Sequence, residues 1–213
     1  MTDTPRVRRA LVVDWGGVLT TPVKRIFRTW LARESLLETH FVAVMTDLQN
    51  QPDSILHQVE RGEVSRMALE RELAARLTER HDRQVDPEAL LERMFAAAEV
   101  NDAMVEVLGY ARNAGWRTAV LSNSWGNAYD EPLLESLVDA VLLSDRIGLR
   151  KPEPACYEFA AAALGVSPDA CVFVDDLRRN VRGAERVGMT ALRYGENTVL
   201  TLRELIENGT TWT

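Results

Sequence analysis

The sequence predicts an α/β fold: a Rossmann-like parallel sheet with helices on both faces and an inserted helical cap. Three observations carry that expectation. From residue 101 onward, short apolar runs alternate with amphipathic helical segments, the pattern of parallel strands joined by crossover helices. An earlier apolar run, ALVVD, ends at Asp14 and is followed at once by Gly16 and Gly17. Between that run and the alternating region, residues 22–98 show helical periodicity only.

Taken in order, the segment from Arg8 to Asp14 reads as a buried strand, and WGGVLTTP breaks it with two glycines and a proline. VKRIFRTWLARE, SILHQVERG, SRMALERELAARLTER and DPEALLERMFAAAE then carry apolar residues at three- and four-residue spacing. Ser65 and Asp86-Pro87 supply helix starts. This block comes too early and runs too long for a single crossover. It is read as a cap, residues 22–98, inserted into an α/β core of residues 1–21 and 99–213. Within the core, NDAMVEVLGYARNAG is a helix ended by Gly115, and WRTAVLS follows as a strand. DEPLLESLV leads into DAVLLS, EPACYEFAAAALG into ACVFVDD, and VRGAERVG into TALRY. A last helix is expected around Leu202 to Glu207.

A chain of 213 residues accommodates one core domain and a modest insertion. Its 25 basic and 32 acidic residues give a net charge of −7, which argues against a general nucleic-acid binder or an anionic-membrane binder. An anionic small-molecule substrate would need a pocket made locally positive by a metal and a few chosen cations. Cys156 and Cys171 have neither zinc spacing nor a disulfide framework and read as small buried residues. The first residues have too short an apolar run for a signal peptide, and no segment approaches a membrane span. A cytoplasmic location is expected.

In such sheets ligands bind outside the carboxyl ends of the strands. There the sequence places Asp14, then Ser122-Asn123-Ser124, then Asp175-Asp176 with Asn180 beyond them. Lys151 lies in the loop GLRKP just before a helix. Singly, each reads equally well as a turn residue, a helix cap or a solvated charge. Three carboxylates, a hydroxyl and an ammonium converging on one sheet edge would be costly without function. A divalent cation offsets the carboxylate repulsion, and an all-oxygen donor set favours magnesium over softer metals.

The ordered segments DWGGVLT, LSNS, RKPEP and FVDDLRRNVRGAERVGM resemble the four motifs of the haloacid dehalogenase-like (HAD) superfamily. The helical stretch after the first motif resembles that superfamily's helical cap. Within it the chain looks closest to bacterial sugar-1-phosphate phosphatases and the N-terminal domain of soluble epoxide hydrolase, a likeness that VERGEVS supports. The resemblance implies a magnesium-dependent phosphatase acting on a small phosphorylated metabolite. Asp14 would attack phosphorus and form an aspartyl-phosphate. Mg2+ would be held by Asp14, the Gly16 carbonyl and Asp176. Ser122 and the Asn123 N–H would hold phosphoryl oxygens, and Lys151 would neutralise charge gathering there. Asp175 and Asn180 would orient the metal ligand and the lysine. Gly16 and Gly17 would permit a tight turn close to the phosphate, in backbone conformations that side chains can exclude.

One position departs from the pattern. Phosphatases of this superfamily usually carry an aspartate two residues after the nucleophile, as general acid and base, and here that position is Gly16. General acid catalysis contributes about 10²–10⁴-fold. Three readings follow: a substrate with a good leaving group such as a sugar 1-phosphate, or a substitute donor; a dehalogenase; or a weakly active protein that binds a ligand or partner. The dehalogenase pattern has a Ser-Asn pair in place of Asp175-Asp176. His40, His57 and His81 fall in the cap, and His57 is the least bland of them because it precedes Glu60-Arg61-Gly62. Trp125 and Asn127 are placed either at the pocket mouth or, for Trp125, packed under the cap.

Overall fold

The computed structural model describes residues 9–126 and 129–208. The chain begins with β1 (Ala10–Val13) and a wide turn over Trp15–Leu19, then the helices α1 (Val23–Arg33), α2 (Glu38–Asn50), α3 (Ile55–Glu60), α4 (Arg66–His81) and α5 (Leu90–Phe95). It continues with α6 (Asp102–Asn113), β2 (Arg117–Ser122), α7 (Glu131–Leu137), β3 (Ala140–Leu143), α8 (Ser144–Ile147) and α9 (Pro154–Ala163). The last elements are β4 (Cys171–Asp175), α10 (Arg178–Arg186), β5 (Thr190–Arg193) and α11 (Thr198–Asn208). The strands pair in parallel as one sheet, in the order β3-β2-β1-β4-β5.

Alternation along the strands divides the core in two. Leu11, Val13, Val120, Val172 and Val174 face α6 and α11, where Met104, Leu108, Leu202 and Ile206 cover them. Ala10, Val12, Leu121 and Phe173 face the other way, onto Cys156, Tyr157 and Ala160 of α9 and Ala184 of α10. Both faces are therefore apolar, as a parallel sheet between helices requires. Cys156 and Cys171 are free and buried; burial pushes both thiols up to about 12, so they pack and do not react. No helix among the described residues is long and apolar enough to cross a membrane.

The helices between β1 and α6 have an apolar cluster of their own, drawn from Trp30, Phe41, Val44, Leu56, Leu73, Met94 and neighbours. The chain leaves and rejoins the sheet at one place. Thr20 bridges Val100 antiparallel, the Thr21 N–H donates to the Glu99 carbonyl at 2.8 Å, and the Asn101 N–H donates to the Leu19 carbonyl at 2.9 Å.

Two local expectations need correction. Asp86-Pro87 does not open α5. The Asp86 carboxylate instead accepts from the Glu88 N–H at 2.9 Å in a tight turn, Ala89 is left-handed, and the helix starts at Leu90. Its start is satisfied from outside, because buried Glu70 of α4 accepts the Leu91 N–H at 3.1 Å. Helix α2 falls within the stretch of helical periodicity, with Phe41, Val44, Met45 and Leu48 as its buried face. Ser144, the last residue of the strand expected over DAVLLS, instead opens the short helix Ser144–Ile147.

Candidate active site

Central position in the sheet brings the chemistry together. β1 lies between β2 and β4, so the residues just past their carboxyl ends are neighbours. The Asp14 N–H donates to the Val174 carbonyl at 2.9 Å. The Asp14 Oδ1 accepts from the Trp15 N–H at 2.7 Å and lies 2.8 Å from the Lys151 Nζ. Lys151 is 1% exposed, and its Nζ also donates to Asp175 Oδ2 at 2.7 Å. Its loop is clamped by Asn123, whose Oδ1 accepts the Lys151 N–H at 2.8 Å while its Nδ2 donates to the Lys151 carbonyl at 2.9 Å. The Lys151–Pro152 peptide is cis.

Asp175 and Asp176 face different partners. Asp175 is fully buried; the Leu177 N–H and the Asn180 Nδ2 donate to it at 2.8 and 3.0 Å. Asp176 lines the cavity above. Carboxylate oxygens of Asp14, Asp175 and Asp176 lie within 4.8 Å of one another. Without a cation that proximity is unfavourable, and the titration of the groups reflects it. Burial, opposed by Lys151 and reinforced by Asp175, pushes Asp14 up to about 7. Burial and Asp175 push Asp176 up to about 6. Burial alone would lower the Lys151 ammonium, but Asp14 and Asp175 raise it, so it stays charged. The donors are all hard oxygens, which suits magnesium. Asn180 Oδ1 is buried without a partner among the described residues, an acceptor that a metal-bound water would satisfy.

A cavity of about 360 Å³ opens over these groups. Asp14, Gly16, Ser122, Asn123, Lys151 and Asp176 form its floor, with Asn180 beside them. Helices α1, α2 and α5 overhang it with Phe27, Phe41, Met45 and Phe95, joined by Trp125. Gly17 stands behind the floor. Its N–H donates to Thr20 Oγ1 at 3.2 Å, its φ is +79°, and a Cβ there would lie 2.8 Å from Asp176 Oδ2. Gly17→Ala is therefore expected to cost about 1–3 kcal/mol and to weaken cation binding, measurable as a lower Tm and a smaller magnesium-induced rise in Tm.

Several site contacts had no signal of their own in the sequence. Buried Glu60 of α3 accepts from Arg150 Nε at 2.6 Å and from Trp125 Nε1 at 3.1 Å, tying the helical block to the loop that carries Lys151. The nearest clue was that Glu60 lies in the VERGE stretch and Arg150 adjoins Lys151. Tyr129 Oη lies 3.2 Å from Ser122 Oγ, and burial raises its phenol. None of the three histidines lines the cavity. His81 packs against His40 instead. Trp125 both lines the cavity and packs against the helical block, whereas Asn127 falls outside the described residues.

Known proteins carry similar sequence and fold. A phosphatase of Mycobacterium tuberculosis is 38% identical over 107 residues, 46% of this chain and 49% of that protein. The (S)-2-haloacid dehalogenase 4A of Burkholderia cepacia is 30% identical over 115 residues, 51% of this chain and 50% of that one. The chain thus spans about half the length of these curated relatives. A HAD family enzyme of Bacteroides thetaiotaomicron, crystallised with magnesium and inorganic phosphate, superposes with a TM-score of 0.62 at 17% identity over 87% of this chain and 93% of that one. At that identity the likeness concerns the fold. A family model of haloacid dehalogenase-like hydrolases matches residues 8–188. Since that stretch contains Asp14, Ser122, Lys151 and Asp176, the side chains that meet at the cavity floor, the chain belongs to the haloacid dehalogenase-like hydrolases.

Proposed function

We propose that the chain is a magnesium-dependent phosphatase that cleaves a small phosphorylated metabolite through an aspartyl-phosphate on Asp14. The observation that carries this reading is the cluster of Asp14, Asp175 and Asp176, with Lys151 paired to the first two, a charge set that a cation would stabilise and that can receive a phosphoryl group. In this reading Asp14, Asp176 and the Gly16 carbonyl hold Mg2+, which supplies positive charge against the transferring phosphoryl oxygens. Asp14, fixed by the Trp15 N–H and Lys151, presents its other oxygen to phosphorus. Ser122 and the Asn123 N–H hold phosphoryl oxygens, and Lys151 neutralises charge passing between nucleophile and phosphate. Asp175 and Asn180 hold the lysine in place. Residues 22–98 act as a cap over a core of residues 1–21 and 99–213 and select the leaving group. Gly16 supplies no general acid, so a substrate with a good leaving group, such as a sugar 1-phosphate, suits the site.

A second reading, dehalogenation, is favoured by the Burkholderia relative. The acidic pair Asp175-Asp176 speaks against it, since a metal-free attack gains nothing from a second buried carboxylate beside the nucleophile. A panel of phosphate esters and 2-haloacids, each with magnesium and with a chelator, separates the two. Turnover of esters that stops on chelation is expected. Chelator-resistant release of halide, with no ester cleaved, would replace the phosphatase reading with dehalogenation.

Cation binding should be strongly pH-dependent. Ligand carboxyls must lose protons to bind metal, and Asp14 and Asp176 hold theirs to about 7 and about 6. Magnesium affinity is expected to rise as pH climbs from 5 to 7.5, by up to about tenfold per unit for each proton displaced. The linkage to stability has the opposite sign for the metal-free protein. A carboxyl raised from 3.8 to about 7 binds its proton more tightly when folded, so metal-free stability falls as pH rises through that window. At 100 times its Kd, magnesium restores about 2.7 kcal/mol. Melting curves with magnesium and with chelator should diverge with rising pH; parallel curves would show that these carboxylates do not hold the cation.

A further inference from the structure

The cavity above the phosphoryl site has a composition that the phosphatase reading does not itself require. Phe27 and Trp125 lie stacked, 17° from parallel with centroids 6.3 Å apart. Phe95 stands edge-on to both, at 5.6 and 5.8 Å, and Phe41 is edge-on to Phe27 at 5.2 Å. Val23 and Met45 fill the gaps. The apolar surface continues outward to the rim, where Val42 is 52% and Leu177 is 42% exposed. Few polar groups stand on this upper wall: Glu60 is held by Arg150 and Trp125, Gln49 Oε1 accepts from Arg179 at 3.3 Å, and Thr46 is the remaining hydroxyl of the α2 overhang. A polyol seated here would bury hydroxyls with few partners, which is unfavourable. A flat apolar group would gain stacked and edge-on contacts. The volume of about 360 Å³ lies in the range of roughly 300–1,000 Å³ usual for small-molecule sites.

A second, independent constraint comes from the floor. With glycine at position 16, no side chain there can protonate the departing oxygen. The leaving group must carry its own negative charge, and a phenol, with a pKa of about 10, does so far better than a simple alcohol.

We infer that this cavity takes an aromatic leaving group, so that the substrate is the phosphate monoester of a phenol or a comparably acidic aromatic hydroxyl. The inference rests on the phosphatase reading and narrows it away from sugar phosphates. An Asp14 carboxylate oxygen bonds to phosphorus as the bond from phosphorus to the aryl oxygen breaks. The bonding pair leaves on the aryl oxygen, which takes a proton from water. A second water then cleaves the aspartyl-phosphate, releasing inorganic phosphate and restoring Asp14.

The test uses the full chain at saturating magnesium and two substrate pairs. For 1-naphthyl phosphate against glucose 1-phosphate, kcat/KM is expected to favour the naphthyl ester by about 10²-fold or more, because the poorer leaving group lacks the general acid that would offset its basicity by about that much. 3-Phenylpropyl phosphate and propyl phosphate have leaving groups of similar acidity and isolate the cavity. There the phenylpropyl ester is expected to win by about tenfold, mainly through KM. Val42→Asp, at an exposed rim position, should narrow both preferences. Esters that are cleaved with the sugar or propyl phosphate equal or better would overturn the aromatic assignment and leave the phosphatase reading intact. If no ester is cleaved, the phosphatase reading falls. Binding of phenylphosphonate against methylphosphonate, with magnesium present, then decides the cavity: about tenfold tighter phenyl binding supports an aromatic ligand, and equal binding refutes it.

Discussion

Asp14→Asn is expected to lower magnesium-dependent turnover of an aryl phosphate by about 10⁴-fold or more, the scale seen when a covalent nucleophile is removed. The substitution changes little else. Asn has nearly the same shape, can still accept the Trp15 N–H that now bonds to Oδ1, and leaves Lys151 paired to Asp175 at 2.7 Å. It removes the charge proposed to attack phosphorus and one of the oxygens proposed to hold magnesium. Both the rate and the magnesium-induced rise in Tm should therefore fall, while the fold persists. The paired readout discriminates between roles. Lost cation binding with more than about 1% of the rate retained at high magnesium would make Asp14 a metal ligand and not the nucleophile. An unchanged rate would remove it from the chemistry altogether.

The strand ends were legible because a parallel sheet buried on both faces writes an uninterrupted apolar run, and such runs end at Asp14, Ser122 and Asp175. The different environments of Asp175 and Asp176 were expected from family resemblance alone. No local pattern says that Asp175 meets Lys151 and Asn180 while its neighbour lines the cavity. The aromatic overhang was illegible for a related reason. Phe27, Phe41 and Phe95 read as the inner faces of amphipathic helices, and only tertiary packing sets them beside Trp125. The Glu60–Arg150 pair joins residues far apart in sequence, a contact that periodicity cannot encode. The two glycines after Asp14 also looked alike, yet only Gly17 has a positive φ.

That difference makes Gly16 testable. Its φ of −70° and ψ of 114° are open to any residue, so aspartate is not excluded by backbone conformation, contrary to the sequence-based expectation. The constraint is steric: a Cβ at position 16 would lie 3.1 Å from Val23 Cγ2, at the start of α1. In the wild type, turnover across phosphate esters of graded leaving-group pKa is expected to fall steeply. A loose phosphoryl transition state puts negative charge on the departing oxygen, and no side chain at position 16 protonates it. Primary alkyl phosphates should lie about 10²–10⁴-fold below the level a general acid would allow. Gly16→Asp combined with Val23→Ala, which clears the space, is expected to raise alkyl phosphate turnover by about 10²-fold and to flatten the dependence. Gly16→Asp alone should do less, because Val23 must first give way. A shallow wild-type dependence would show that another group, such as Tyr129 beside Ser122 or a bound water, already protonates the leaving oxygen. A steep dependence left unchanged in the double variant would show that the missing carboxylate is not what limits the alkyl esters.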